Sequence, residues 1–154
     1  MTFCQNIFIY NKSQIYNYSN ITLRKSEGMD IKKNIFIVDD EPDVTQSVKW
    51  ALEYLNPSEF DVTCVDSGKE CLELLEDKQI PDLILLDIMM PGMSGWMLSD
   101  RLRENSSWKK IPIVFLTARS DEFAENIGRK IAKDYIKKPF DIHDLKKRIK
   151  KVLQ

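Results

Sequence analysis

Asp82-Leu-Ile-Leu-Leu-Asp-Ile-Met-Met-Pro-Gly-Met-Ser-Gly95 is the stretch that decides the fold. Its core, Leu83–Leu86, is apolar without alternation, the pattern of a strand covered on both faces. The run meets an acid, Asp87, and then Pro91, Gly92 and Gly95 supply turn chemistry. A strand over Asp82–Ile88, a turn, and a helix over Trp96–Glu104 make one strand–helix unit. The chain on either side repeats it.

Upstream, Asn34–Val38 is an apolar run that ends abruptly in Asp39, Asp40 and Glu41. Pro42 stands where the first residue of a helix belongs, and Val44, Val48, Leu52 and Leu55 recur at helical spacing. Phe60–Val65 reads as the second strand. Ser67 reads as an N-cap with Glu70 as its capping-box partner, and Leu72 and Leu75 as the buried face of the helix that follows. Downstream, Ile111–Leu116 is a fourth strand, Asp121–Ala132 a less strongly patterned helix, and Asp134–Lys137 a short fifth strand stopped by Pro139. Asp141 caps a last helix in which Ile142, Leu145, Ile149 and Val152 share one face. The lysines opposite read as a solvated face that complements the helix dipole. Five such units in about 120 residues predict an α/β fold, a single doubly wound sheet of five parallel strands with helices on both faces.

Residues 1–30 read differently. They are rich in Asn, Tyr, Ser and Ile, and Phe3, Ile7, Ile9 and Ile15 alternate weakly without a partner hairpin. This is expected to be an N-terminal extension, poorly ordered at its very end, with the organised domain at 31–154 and Met29 as a candidate native start.

A chain of 154 residues, 43% apolar and 31% charged, has the makings of one ordinary globular domain. A net charge of −1 gives no electrostatic case for DNA as a partner. The apolar runs are too short to cross a membrane, and no signal-peptide pattern opens the chain. Cys4, Cys64 and Cys71 are odd in number and dispersed, and are expected to be reduced, buried thiols. A cytoplasmic location is the expectation.

In a parallel α/β sheet, ligands bind beyond the carboxyl ends of the strands, where the strand order reverses. There the sequence puts Asp39 and Asp40 after strand one, Asp87 after strand three, Thr117 after strand four and Lys138 after strand five. Each alone has an ordinary reading as a cap, a turn hydroxyl or a solvated charge; their joint placement carries the inference. Three crowded carboxylates repel one another and call for a cation. With oxygen ligands and no His or Cys nearby, that cation is Mg²⁺ rather than zinc. A carboxylate is a competent nucleophile towards phosphorus, a lysine neutralises phosphoryl oxygens, and a threonine hydroxyl donates to one. The set describes phosphoryl transfer to an aspartate.

Four stretches carry a family resemblance: Ile35-Phe-Ile-Val-Asp-Asp-Glu-Pro42, Leu83 to Gly95, Ile113-Val-Phe-Leu-Thr-Ala118 and Asp134-Tyr-Ile-Lys-Lys-Pro-Phe140. In this order and spacing the chain resembles a response-regulator receiver domain of two-component signalling, over roughly residues 33–153. The resemblance implies a flavodoxin-like fold with Asp87 as phosphoacceptor. It implies a Mg²⁺ held by Asp40, by Asp39 through water, and by the backbone carbonyl of Met89. Thr117 and Lys138 would hold the phosphoryl group. Tyr135 would be the switch aromatic that couples the site to the face formed by the fourth helix, fifth strand and fifth helix, the face on which receivers commonly form homodimers. The donor would be a phosphohistidine on a sensor histidine kinase or a histidine phosphotransfer protein. Catalysis would be confined to the domain's own phosphorylation and dephosphorylation, with no separate substrate turnover.

Ile131 and Ala132 stand where the family often has Gly-Ala, a departure in the loop before the fifth strand that leaves the site whole. Met89 offers nothing to orient an attacking water, so slow autodephosphorylation is expected, with Arg119 a possible opposing influence. Only a few residues follow the last helix, so the expectation is a stand-alone receiver that signals by contact with a downstream protein. A haloacid-dehalogenase-type phosphohydrolase would need an acid where Met89 stands. An inert interaction module would not need the site intact.

Overall fold

The computed structural model describes residues 31–154, except 56 and 120. The expected extension at 1–30, with Cys4 and Met29, lies outside the described residues. Ten elements alternate: β1 (Lys33–Val38), α1 (Pro42–Leu55), β2 (Phe60–Val65), α2 (Gly68–Glu76), β3 (Leu83–Leu86), α3 (Gly95–Glu104), β4 (Ile113–Thr117), α4 (Glu122–Ile131), β5 (Asp134–Lys137) and α5 (Ile142–Leu153). The strands form one parallel sheet in the order β2-β1-β3-β4-β5. This is the doubly wound flavodoxin-like arrangement that the alternation predicts.

Strand side chains point alternately to two cores. Phe36, Val38, Ile84, Leu86, Phe115 and Tyr135 meet Cys71, Leu75, Leu98 and Leu102 on the α2–α3–α4 side. Ile35, Ile37, Leu83, Leu85, Val114, Leu116 and Ile136 meet Val48, Leu52, Leu145 and Ile149 from α1 and α5. Burial of β3 on both faces is why its sequence does not alternate. Among the described residues no helix is long and apolar enough to cross a membrane.

Boundaries differ from the sequence reading where backbone chemistry intervenes. β3 is shorter than Asp82–Ile88. At its end the chain turns after Asp87, whose amide still donates to the Val38 carbonyl at 2.9 Å. β4 starts at Ile113 rather than Ile111, because Pro112 has no amide to add to the ladder. Asp121 and Ala132 cap α4 rather than belong to it. Ser67 accepts from the Glu70 amide as expected, but Glu70 reaches the amide of Asp66, one residue before the cap. Leu55 is 47% exposed at the last turn of α1, while at the first turn Thr45 is buried and Val44, a member of the expected stripe, is half-buried. Cys71 is buried and Cys64 half-buried, both as free thiols.

Candidate functional site

The strand order reverses between β2 and β3, on either side of β1, and the register Val38↔Leu86 sets the ends of β1 and β3 level. Asp39 and Asp87, one residue beyond each partner, therefore emerge together. Leu86 pairs with Phe115 and Thr117 with Lys137, so Thr117 and Lys138 come up on the other side of Asp87. A close approach fixes the turn after β3. A Cβ at Gly95 would fall 2.1 Å from the Asp87 carbonyl oxygen, so only glycine lets α3 begin there, with its amide donating to the Ile88 carbonyl at 3.0 Å.

Carboxylate oxygens of Asp39, Asp40 and Asp87 lie within 4.8 Å of one another. Asp39 and Asp87 are buried and Asp40 faces solvent. The backbone aims the two buried acids: the Glu41 amide donates to Asp39 Oδ1 at 3.0 Å, and the Met89 amide to Asp87 Oδ2 at 2.9 Å. Lys138 Nζ lies 2.6 Å from Asp39 Oδ2, 3.3 Å from Glu41 Oε1 and 3.8 Å from Asp87 Oδ1.

Burial lifts the Asp39 carboxyl above its ordinary range, even against the hydrogen bond and charge of Lys138 and the Glu41 amide. Burial also works against the Lys138 charge, but the hydrogen bond it donates to Asp39 and the fields of Asp39 and Asp87 leave its pKa raised. One ammonium thus does not balance three carboxylates. A further cation among these oxygens would relieve the deficit, and the all-oxygen donor set suits Mg²⁺.

Thr117 is fully buried, and its Oγ1 accepts from the Arg119 amide at 3.2 Å. The Arg119 carbonyl in turn accepts from the Tyr135 hydroxyl at 2.7 Å, with the Tyr135 ring turned inward at 2% exposure. The Arg119 guanidinium lies 2.6 Å from Asp121. Met89 sends its side chain into solvent at 63% exposure. Asp39, Asp40, Asp87 and Lys138 are therefore brought together, with Thr117 at the neighbouring strand end and Tyr135 linked to Thr117 through Arg119. Glu41 as a partner of Lys138 escaped the sequence reading. Its place directly after the acid pair was the available signal.

A doubly wound sheet with an acid trio and a lysine at its switch point defines a signalling domain of the receiver class. The family model for the response regulator receiver domain matches residues 35–150, and the chain belongs to that family. It is 38% identical over 133 residues to the phosphate regulon transcriptional regulatory protein PhoB of Pseudomonas aeruginosa, covering 80% of this chain and 53% of PhoB. The chain spans about half the length of the curated relatives it matches first. Among solved structures, the Vibrio cholerae chemotaxis protein CheY4 covers 79% of this chain and is itself covered to 99%, with a TM-score of 0.70 at 27% identity. The receiver domain of a Pseudomonas aeruginosa sensor histidine kinase, solved with a magnesium ion coordinated in its active-site cleft, aligns over 80% of this chain and 98% of its own. Its TM-score is 0.69 at 23% identity, a likeness of fold alone.

Proposed function

We propose that Asp87 is the phosphoacceptor of this receiver domain and that Mg²⁺ assists the transfer. The carrying observation is the convergence of three carboxylates within 4.8 Å beside a half-buried ammonium. Asp40, Asp87, the Met89 carbonyl and, through water, Asp39 would hold the ion, which when bound neutralises charge on the entering phosphoryl oxygens. Asp87 attacks phosphorus: the P–N bond of a phosphohistidine breaks as a P–O bond to the carboxylate forms, and the imidazole leaves. Lys138 trades part of its contact with Asp39 for a phosphoryl oxygen. The Thr117 hydroxyl leaves the Arg119 amide to donate to another oxygen. That releases the loop whose Arg119 carbonyl the Tyr135 hydroxyl holds, and so links the site to the α4–β5–α5 face.

The donor in this reading is a sensor histidine kinase or histidine phosphotransfer protein. A cleft of about 640 Å³ opens directly beside Lys138, lined by Val44, Val48, Ala51, Pro139, Phe140 and Ile142, and offers such a protein an apolar seat. Output goes to a downstream protein, with dimer formation through the α4–β5–α5 face as one route, in the cytoplasm. Residues 31–154 form the receiver and 1–30 an extension to it. The only chemistry expected is the domain's own phosphorylation and dephosphorylation. Methionine at position 89 removes the acid that a haloacid-dehalogenase-type hydrolase would use.

Acetyl phosphate with Mg²⁺ should give a stable phosphoprotein that EDTA prevents from forming. Continuous release of phosphate from organic phosphates would instead favour the hydrolase, and no product of either kind would favour an inert module.

A further inference from the structure

β2 is an edge strand: the sheet runs β2-β1-β3-β4-β5, and β2 pairs with β1 on one side alone. The Lys33 amide donates to the Glu59 carbonyl at 2.8 Å, and the Asp39 amide to the Val65 carbonyl at 3.1 Å. Backbone direction alternates along a strand, so Phe60, Val62 and Cys64 turn their N–H and C=O groups away from the sheet. Such a row is a template on which another strand can add. Phe60 and Val62 bury their side chains in the core at 3% and 2% exposure, so what the edge offers a partner there is bare backbone.

Two side chains of α1 close the centre of this row. Glu53 Oε1 accepts from the Val62 amide at 2.8 Å, and Lys49 Nζ donates to the Val62 carbonyl. The two also pair with each other at 2.7 Å, one helical turn apart. Together they give Val62 one acceptor and one donor, which is what a neighbouring strand would give it. The stability of α1 does not account for them. Lysine ahead of glutamate is the weaker order for a pair one turn apart, and such pairs near the surface are worth little. Among the described residues, Phe60 and Cys64 have no comparable partner for their outward groups.

We infer that Lys49 and Glu53 guard the β2 edge against a second copy of this chain. The edge is self-complementary. Antiparallel pairing about a two-fold axis at Val62 would set Val62 against its own mate, and Phe60 against Cys64 of the other copy, so that each outward N–H meets a C=O. To pair in that way, the second copy must break both Val62 contacts and crowd the Lys49 and Glu53 charges against incoming backbone. The guard keeps the open sheet edge out of the receiver's contacts and leaves association to its other faces. The inference stands apart from the phosphoacceptor reading, because neither residue belongs to the acid cluster.

Lys49→Ala combined with Glu53→Ala opens the edge. Sedimentation velocity in EDTA, with no phosphodonor, compares this double variant with the parent protein. The double variant should dimerise with a dissociation constant at least about tenfold below the parent's. Hydrogen exchange locates the contact. In the parent, the Val62 amide should be protected while those of Phe60 and Cys64 exchange freely. In the dilute double variant all three should exchange freely, and in concentrated solution all three should become protected together.

Cys64→Pro, added to the double variant, separates strand addition from general stickiness. Proline removes an outward N–H and leaves the ladder to β1 intact. It should return association to the parent level. Parent-like association of the double variant would overturn the inference. So would a dimer whose β2 amides stay unprotected, or one that Cys64→Pro leaves unchanged. If the double variant does not fold, Lys49→Ala alone decides, because it frees the Val62 carbonyl and keeps Glu53 on the amide. Tighter dimerisation with protection at Phe60 and Cys64 then supports the guard, and parent-like behaviour overturns it.

Discussion

Lys138→Met removes the ammonium set among three carboxylates while nearly keeping the length of the side chain. The charge it removes lies 2.6 Å from Asp39 and 3.8 Å from Asp87. The Lys138, Asp39 and Asp87 side chains are 13%, 2% and 6% exposed, so water screens them weakly. Glu41, on the solvent side, counts for little. Removing one partner of a buried pair costs about 3–5 kcal/mol. Asp40 opens this cluster to water, so the expected loss is smaller, about 2–3 kcal/mol, or roughly 8–12 °C in Tm for a domain of this size. A divalent cation replaces the missing charge, so millimolar Mg²⁺ should restore most of the deficit and stabilise the variant more than the parent.

The pH dependence has a definite sign. Asp39 has a folded pKa raised above its ordinary 3.8 by burial. Its protonated form contributes stability that is complete below the unfolded value and is lost as pH rises through the folded one. The deficit of Lys138→Met should therefore be largest at neutral pH and shrink in acid. Urea melts of both proteins, at about pH 7.5 and about pH 4.5, with EDTA or with Mg²⁺, measure every element of this. A variant as stable as the parent in EDTA, or a deficit indifferent to both Mg²⁺ and pH, would refute the electrostatic account.

Met89→Asn should shorten the life of the phosphorylated protein several-fold, because an amide at the mouth of the site orients a water that the exposed methionine does not; decay of radiolabelled protein measures it, and an unchanged or slower decay counts against the reading. Thr117→Val should cost about 1 kcal/mol for the lost acceptor of the Arg119 amide. It should still be labelled by acetyl phosphate, yet show little of the parent's change in the NMR signals of the Tyr135 ring on labelling; a full response would show that Thr117 does not transmit. Arg148→Met breaks the fork of Nε and an Nη to Asp134, each at 2.6 Å. Burial opposes the Asp134 charge, but Arg148 and the Tyr135 amide hold its pKa below the ordinary value. That stability is present above the unfolded 3.8 and is lost as pH falls through the folded value. The variant should lose about 1–3 kcal/mol near neutrality and much less in strong acid. A deficit that does not shrink in acid would assign the effect to packing.

Element order was legible because each strand reads as a short apolar run between turn signals, and β2 and β5 match their predicted limits residue for residue. The acid trio was legible because parallel topology sends every strand's carboxyl end to one edge, so distant acids had to meet. Other features depend on what lies across the fold. Leu55 fits a helical stripe, yet the last turn of α1 runs past the sheet and leaves it exposed. Glu41 reads as a helix-start acid, and only the arrival of Lys138 from β5 gives it a partner. Gly128 looks like an indifferent residue in a weakly patterned helix until the Tyr135 ring is seen against its backbone. Local pattern records which face a residue presents, but not which side chain of another element comes to rest on it.

Intact-protein mass spectrometry followed by peptide mapping, after acetyl phosphate and borohydride trapping of the acyl phosphate, tests the central claim most directly. The account predicts one phosphoryl group per chain, trapped at Asp87, absent when Mg²⁺ is chelated and absent in Asp87→Asn. Modification that persists in Asp87→Asn at the parent level, or that forms equally well without Mg²⁺, would contradict it.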